Sequence, residues 1–182
     1  MRVLFVLALF ARIARAECSH DKQLPVARGT IVVDGDLGDP VWQTACIASD
    51  FAEQSPKFGA KPAHPAKVAI AIDATTLYIG ARMWAAPGEV DDALTQRDDT
   101  QQAERFIVSI DPSHTRRLAY SFAVTARGVR ADWIHTDDNE YDRDMSWDPV
   151  WIAKATILPD GWSAEMAIPL SQLRLPREPQ AS

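Results

Sequence analysis

Residues 151–169 decide the fold of this chain, and they read W-I-A-K-A-T-I-L-P-D-G-W-S-A-E-M-A-I-P. The segments Trp151–Leu158 and Trp162–Ile168 flank Pro159-Asp160-Gly161, a composition typical of the tight turn of a β-hairpin. In the second segment, side chains alternate with a period of two, the pattern of a β-strand with one core face. That core face comprises Trp162, Ala164, Met166 and Ile168. The stretch therefore predicts two antiparallel strands, the second of which ends at Pro169.

Further segments before the hairpin also have strand composition and are bounded by turns. They are Gly29–Val33, Lys67–Asp73, Leu77–Trp84, Arg105–Asp111, Leu118–Thr125 and Val129–His135. Eight strands in all, with almost no helix, predict an all-β fold, an antiparallel β-sandwich of immunoglobulin or jelly-roll type. Two short helices are expected, at Asp39–Ala45 and at Leu170–Leu173. The first begins with Asp39-Pro40, an N-cap residue followed by a first-turn proline.

The N-terminus has the organisation of a secretory signal peptide. Arg2 precedes the apolar run Val3–Ala11, and Ala14-Arg15-Ala16 supplies a cleavage signal of small residues. The apolar run is too short to span a bilayer. We therefore predict a signal peptide at residues 1–16, a flexible lead at residues 17–27 and one domain at residues 28–182. The protein is expected to be exported, as a periplasmic, outer-membrane-associated or secreted protein.

The chain is acidic, with a formal net charge of −6 at pH 7. Cleavage after Ala16 removes three arginines and no acidic residue, which leaves the mature chain at −9. Strong negative charge argues against nucleic acid and anionic membrane surfaces as partners, and it suits a neutral ligand or a cation. Membrane insertion by this chain is not expected.

The chain has two cysteines, Cys18 and Cys46. Export to an oxidising compartment permits a disulfide bond between them. The sequence does not decide whether the two side chains meet, so a disulfide and two free thiols both remain open.

Acidic residues concentrate between Asp132 and Trp151, in D-W-I-H-T-D-D-N-E-Y-D-R-D-M-S-W-D-P-V-W. These twenty residues hold seven carboxylates, three tryptophans and a tyrosine against one arginine. Because unpaired carboxylates are costly to bury, the stretch is expected to be largely an exposed loop between two strands. Exposed aromatic rings beside clustered acids favour sugar stacking, a bound divalent cation, or both. The alternative is a solvated acidic loop whose tryptophans serve only as anchors.

Acids of this loop form a candidate calcium site, because calcium takes several oxygen ligands that often lie close in sequence. They are Asp137, Asp138, Asp142 and Asp144. Their spacing matches no EF-hand pattern and lacks its central glycine, so a solvated loop remains the alternative. Nothing in the sequence requires a cofactor, and calcium is the one candidate.

The six tryptophans divide into two groups by their surroundings. Trp42, Trp151 and Trp162 lie in apolar alternation or at its start and are expected in the core. The other three are candidates for sugar binding, because a flat aromatic ring matches the apolar C–H face of a sugar. The complete candidate carbohydrate site is Trp147, Trp133, Trp84, Tyr78, Arg82, Asp98 and Asp99. Core packing is the alternative role for its aromatic members.

Catalysis by this chain is not expected. The sequence has no G-x-S-x-G, H-E-x-x-H, phosphate-binding-loop or Cys–His nucleophile pattern, and its four histidines lack metal-ligand spacing. A glycosidase needs two carboxylates at a fixed separation, one of them with a raised pKa, and no acid here stands out in an apolar setting. Any glycoside hydrolase activity is expected to come from another domain.

Several motifs occur together in a characteristic order between residues 28 and 175. They are Val33–Trp42, Leu77–Met83, Arg97-Asp98-Asp99, Arg105-Phe106, Ile110-Asp111-Pro112, Ser146–Trp151 and Gly161–Pro169. In this order they resemble the family 9 carbohydrate-binding modules, and most of all the version at the N-terminus of exported bacterial proteins with a large C-terminal domain. The resemblance implies a β-sandwich that binds sugars, often beside enzymes that act on polysaccharides.

The resemblance also implies site residues that this chain lacks. Sugar-binding members hold the saccharide between two tryptophans, the first just before the Arg105–Asp111 strand, where this chain has Thr100-Gln101-Gln102. The second tryptophan belongs to a segment beyond Ser182. Relatives also carry arginine and asparagine where this chain has Ala123 and Thr125. We therefore expect a truncated product that lacks its last strand or strands and a C-terminal domain.

Residues and resemblance together predict non-catalytic carbohydrate binding, with a polysaccharide or oligosaccharide as partner and a role in polysaccharide use. The alternative is an accessory or interaction domain of a bacterial cell-surface or outer-membrane protein that has lost sugar binding. Retention of the chain by polysaccharides separates the two hypotheses.

Overall fold

The computed structural model describes residues 26–136 and 142–175, and it is built almost entirely of β-strands. The strands are β1 (Ala27–Arg28), β2 (Ile47–Ala48), β3 (Ala66–Ile72), β4 (Thr76–Trp84), β5 (Arg105–Ile110), β6 (Leu118–Thr125), β7 (Arg130–Thr136), β8 (Arg143–Asp144), β9 (Ile152–Leu158) and β10 (Gly161–Pro169). One α-helix, α1 (Pro40–Thr44), and a 3-10 turn, Leu170–Gln172, accompany them in these ranges. Both short helices therefore lie where the sequence predicts them.

The strands form two sheets that pack face to face. The six-stranded sheet has the order β1-β3-β4-β10-β9, with β2 also paired to β3, and the four-stranded sheet has the order β5-β6-β7-β8. Every pair is antiparallel except the two-residue pairing of β1 with β3. The predicted antiparallel sandwich is confirmed. No helix in the described ranges is long and apolar enough to cross a membrane.

The main core lies between the two sheets and contains the apolar face predicted for the hairpin. Trp162, Met166 and Ile168 of β10 are no more than 1% exposed, and they pack in one cluster with Phe122 of β6 and Trp151. The indole nitrogen of Trp162 also donates a hydrogen bond to Glu104 Oε1 at 2.6 Å. The core positions predicted for Trp151 and Trp162 are confirmed.

A second apolar cluster covers the outer face of the six-stranded sheet. Ile31, Trp42 and Ala45 pack there against residues of β3, β4 and β10. Because of this cover, β10 is buried on both faces, including Glu165, which points away from the main core and is 0% exposed. Trp42 is thus a core residue, as predicted, but of this outer cluster.

Glu165 connects residues 31–45, which cover the outer face, to the six-stranded sheet through hydrogen bonds. Its carboxylate accepts hydrogen bonds from the Trp42 indole nitrogen at 2.7 Å and from the amides of Asp34 and Gly35, both at 3.0 Å. Burial raises the pKa of Glu165 above its ordinary value, against the opposing effect of these donors.

The predicted strand Gly29–Val33 is wrong. Pairing with β3 ends after Arg28, and the chain then turns away from the sheet edge so that Ile31 reaches the outer cluster. At Gly29, φ is +152° and an added β-carbon would lie 2.6 Å from Val41 Cγ2, so the close approach requires glycine. The short strands β2 and β8 were not predicted, because two-residue strands have no readable alternation.

Candidate functional site

Both ends of the acidic stretch Asp132–Trp151 are buried. Asp132 lies on β7 and is 1% exposed; its Oδ1 accepts hydrogen bonds from the Trp151 indole at 2.8 Å and from Arg97 Nη2 at 3.0 Å. Burial raises the pKa of Asp132, while the bonds to Trp151 and Arg97 act in the opposite direction. The predicted exposed loop is correct for residues 142–146 and for Asp148 and Val150, whereas Trp147 and Pro149 are partly or fully buried. Residues 137–141 lie outside the described chain.

A pocket of about 240 Å³ opens on the outer face of the four-stranded sheet. We call it the Trp133 pocket, and it is lined by Asp98, Thr100, Gln101, Arg105, Ala131, Trp133, Arg143 and Met145. The strand registers pair Arg105 with Thr125, Trp133 with Ser121, and Arg143 with His135. Side chains of these strands alternate between the faces, so three strands present one polar or aromatic residue each to the same outer surface.

One wall of the Trp133 pocket is the loop that contains Asp98, Thr100 and Gln101, and hydrogen bonds hold this loop against β7. The Asp98 amide donates to the Arg130 carbonyl at 3.1 Å, and Asp98 Oδ1 accepts from the Asp132 amide at 3.4 Å. Arg97 pairs with Asp98 at 3.3 Å and with Asp132, and it also contacts Asp148. The buried Asp132 therefore positions the loop, and with it Thr100 and Gln101.

Trp133 forms part of the pocket lining without offering an open ring face. It is 3% exposed, and its indole nitrogen donates to His135 Nε2 at 2.6 Å. The Arg143 guanidinium lies 4.8 Å from the centre of the indole ring. A ligand in the pocket can contact the ring, but the stacking expected on an exposed Trp133 is not available in this arrangement.

Arg105 brings a partly buried cationic group to the pocket. Its Nη1 is buried without a hydrogen-bond partner, and Arg105 forms no ion pair with any residue in the described ranges. Burial lowers the pKa of Arg105, and the positive charge of Arg143 lowers it further. A guanidinium in such a position is satisfied when an acceptor from outside the protein enters the pocket.

Trp84 and Arg82 lie on the other sheet. The Arg82 guanidinium is 4.8 Å from the Trp84 ring centre and Lys67 Nζ is 5.7 Å from it, beside a cleft of about 250 Å³. The floor of this cleft is apolar and includes Ala69 and Gly80. Arg82 is already engaged, with hydrogen bonds to Asp160 and to backbone carbonyls of the β9–β10 hairpin and β4.

Three other predicted site residues lie on neither surface. Tyr78 is 6% exposed in the outer cluster, and its hydroxyl donates to Asp73 Oδ2 at 2.8 Å. Trp147 is half-buried between the sheets, with its ring centre 4.9 Å from that of Tyr120. Asp99 is exposed and lines neither cavity. The seven predicted residues thus divide: Trp133 and Asp98 meet in one pocket, and Trp84 and Arg82 meet in the other.

The calcium site stays a prediction, because Asp137 and Asp138 lie outside the described residues. Asp142 Oδ2 accepts from Thr136 Oγ1 at 3.2 Å, and Asp144 Oδ1 accepts from the hydroxyl and amide of Ser146. These two bonds, the hydroxyl first, lower the pKa of Asp144. Within residues 26–136 and 142–175, no group of three or more His, Cys, Asp or Glu side chains is placed to hold a metal ion.

Cys46 is buried and disulfide-bonded. Cys18, the other cysteine of the sequence, lies outside the described ranges, so the specific pairing of the two remains a prediction.

The candidate carbohydrate residues from the sequence omit most of the Trp133 pocket. The missing ones are Thr100, Gln101, Arg105, Ala131, Arg143 and Met145. For Arg105 a signal existed: Phe106, Val108 and Ile110 alternate toward the core, which places Arg105 on the outer face. No comparable signal exists for Arg143, because its two-residue strand has no pattern of its own.

No protein-family model matches this sequence, and no curated protein matches it. Two structures of a family 9 carbohydrate-binding module from Caldicellulosiruptor kristjanssonii do match, one in complex with glucose and one with cellotriose. Their TM-scores are 0.58 and 0.51 at 20% and 21% identity, over 84% and 85% of this chain and 70% and 68% of those chains. A proposed carbohydrate-binding protein from Bacteroides uniformis ATCC 8492 matches with a TM-score of 0.57 at 11% identity, over 81% of this chain and 72% of that chain. The chain therefore has the fold of a family 9 carbohydrate-binding module, as the motifs predicted.

Proposed function

We propose that this protein is a non-catalytic carbohydrate-binding module and that the Trp133 pocket is its sugar site. The observation that carries the proposal is the composition of this pocket on this fold. About 240 Å³ of space is bordered by an indole ring, hydrogen-bond donors and hydrogen-bond acceptors. The structural neighbours from Caldicellulosiruptor kristjanssonii, which share the architecture, bind glucose and cellotriose.

The lining matches the two kinds of surface that a sugar ring presents. Sugar C–H groups need apolar contact, which Trp133 and Met145 provide, and sugar hydroxyls need partners that donate and accept. Gln101 does both through its amide group, whereas Asp98 accepts and Arg105 donates. The cleft beside Trp84 is less suited, because its described polar side chains are the cations Lys67 and Arg82.

The position of the pocket agrees with the resemblance found in the sequence. Thr100-Gln101-Gln102 is where the family resemblance implies a sugar-clamping tryptophan, and Thr100 and Gln101 line the pocket. Ala123, where the resemblance implies a polar contact, packs with Ala131 and Trp133. The pocket lining and the family resemblance therefore favour the same surface as the sugar site. Because Thr100, Gln101 and Ala123 are smaller than the residues that the resemblance implies there, we expect a ligand preference that differs from that of the sugar-binding relatives.

Export, a role in polysaccharide use and an accompanying glycoside hydrolase domain belong to the same proposal. They are supported by the leader pattern of residues 1–16 and by the motif order in the sequence. Calcium in the loop that contains Asp142 and Asp144 is proposed as an optional structural ion. The competing function is an accessory interaction domain without sugar binding.

Replacing Gln101 by alanine is expected to weaken sugar binding roughly tenfold, because about two neutral hydrogen bonds of roughly 0.5–1.5 kcal/mol each are lost. Gln102→Ala is the matched control, since Gln102 is an exposed neighbour of the same residue type that does not line the pocket. Affinity electrophoresis against soluble polysaccharides finds the ligand, and calorimetric titration with its oligosaccharides measures the dissociation constants.

Retention by at least one polysaccharide, with a loss confined to the Gln101 variant, supports the proposal. No retention by any neutral or acidic polysaccharide contradicts carbohydrate binding and favours the accessory domain. Binding that both variants retain unchanged would place the sugar elsewhere and contradict the assignment of the pocket.

A further inference from the structure

The Trp133 pocket has an excess of positive charge at one wall. Arg105 has a buried Nη1 without a partner and makes no ion pair within the described chain. Leaving a charged donor buried and unsatisfied is costly, so proteins normally pair such a group. The fold nevertheless holds Arg105 on the pocket-facing side of β5, opposite Thr125, where no described side chain neutralises it.

The carboxylate that lines the same pocket does not balance Arg105. Asp98 is paired with Arg97 at 3.3 Å and also accepts the Asp132 amide at 3.4 Å. No carboxylate of the described residues therefore balances the positive charge of Arg105, although the whole chain has a net charge of −6. A local field of the opposite sign to the net charge selects among ligands.

We propose that the Trp133 pocket binds an acidic sugar, whose oxyanion substituent is recognised by Arg105. This inference rests on the proposed function and names the ligand class of that site. The substituent is the carboxylate of a uronic acid or a sulfate ester, since both offer paired oxygens to a guanidinium. An arginine fork binds such groups through two parallel charge-assisted hydrogen bonds, and these are stronger than bonds to neutral hydroxyls.

The pocket is also the right kind of place for such a pair. Arg105 is partly buried, so an ion pair there is screened less by water and salt than one on an open surface. The pyranose ring then lies toward Trp133 and Met145, and Gln101 remains available to its hydroxyls. Neutral sugars leave Arg105 with only hydroxyl acceptors, so they are expected to bind more weakly at the same site.

The test compares matched ligands by calorimetric titration or NMR titration of the whole chain. The pairs are glucose with glucuronate, galactose with galacturonate, and glucose with glucose 6-sulfate. The acidic member of at least one pair is expected to bind about tenfold more tightly or better, with an advantage that shrinks as salt is added. The uronate and sulfate arms show which oxyanion is preferred.

The matched variants are Arg105→Gln and Arg117→Gln, which remove the same charge inside and outside the pocket. Arg117 is exposed and is not part of the lining. Arg105→Gln should bring the acidic and neutral sugars to within about twofold of each other, and Arg117→Gln should leave the preference unchanged. Arg105→Lys keeps the charge without the fork and should give an intermediate preference, which also serves if the Gln variant does not fold.

Equal affinity for acidic and neutral sugars, or a preference that survives Arg105→Gln, overturns the acidic-sugar inference while carbohydrate binding stands. Absence of binding to every sugar, acidic and neutral, overturns the inference together with the proposed function. A preference that is lost equally in both glutamine variants assigns the effect to overall charge and also overturns it.

Discussion

Replacing Gly161 by alanine is expected to lower the free energy of unfolding by roughly 3–5 kcal/mol, which is a large part of the stability of a small domain. At Gly161, φ is +131°, a conformation that side chains rarely adopt. An added β-carbon would lie 2.1 Å from the Met83 carbonyl oxygen and 2.9 Å from the Ala85 amide nitrogen. Both are backbone atoms, so the clash is relieved only if β4 and β10 separate.

Gly88→Ala is the matched control for this prediction. Gly88 also has a positive φ, +82°, but nothing lies within 4 Å of its added β-carbon. The control should cost only the backbone strain of about 1–2 kcal/mol. Urea denaturation followed by tryptophan fluorescence measures both variants. If both variants lose the same free energy of unfolding, the hairpin accommodates the added β-carbon by a small shift, and the close approach of β4 to Gly161 does not limit stability.

Replacing Glu165 by alanine is expected to cost about 3 kcal/mol or more, because hydrogen-bond donors are left buried without an acceptor. The donors are the Trp42 indole and the amides of Asp34 and Gly35, and the carboxylate is 0% exposed. Glu89→Ala is the control, since the Glu89 carboxylate accepts one amide hydrogen bond on the exposed surface. It should lose less than about 1 kcal/mol.

The stability contribution of Glu165 should also depend on pH. Burial raises the pKa of Glu165 above 4.5, so the folded protein holds this proton more tightly than the unfolded chain does. The contribution is therefore fully present below pH 4.5 and is lost as pH rises through the folded pKa. Glu165→Gln does not titrate, so the stability advantage of the wild type over this variant should fall as the pH rises above 4.5. If the stability advantage of the wild type instead increases with pH, the three hydrogen-bond donors lower the pKa of Glu165 by more than burial raises it.

Most of the architecture is predictable from the sequence, because the alternation of apolar and polar side chains along a strand depends only on near neighbours. In Leu77–Trp84, the period of two places Ile79 inward and Tyr78 outward, and the structure has both on those faces. The hairpin at Pro159-Asp160-Gly161 was readable for the same reason, since turn composition acts over a few residues. Gly29–Val33 was misread because pairing at a sheet edge depends on a distant strand.

The candidate site was harder to predict because it depends on which segments meet. Tyr78 points outward, as its strand position requires, but Ile31 and Trp42 from a distant segment cover it. Asp132 was expected in an exposed stretch, because an unpaired carboxylate is costly to bury. It is buried because Arg97, 35 residues earlier, and the Trp151 indole satisfy it.

By itself the sequence determined two layers of antiparallel strands, their inward faces, the principal turns and three core tryptophans. These features follow from side-chain periodicity and turn chemistry, which act between near neighbours. Only the tertiary structure decided that Trp133, Gln101 and Arg105 border one pocket, and that Trp84 faces a different surface. Which charges pair, and which side chains a distant segment buries, depends on contacts between residues far apart in the chain. The sequence determines such contacts only through the complete fold.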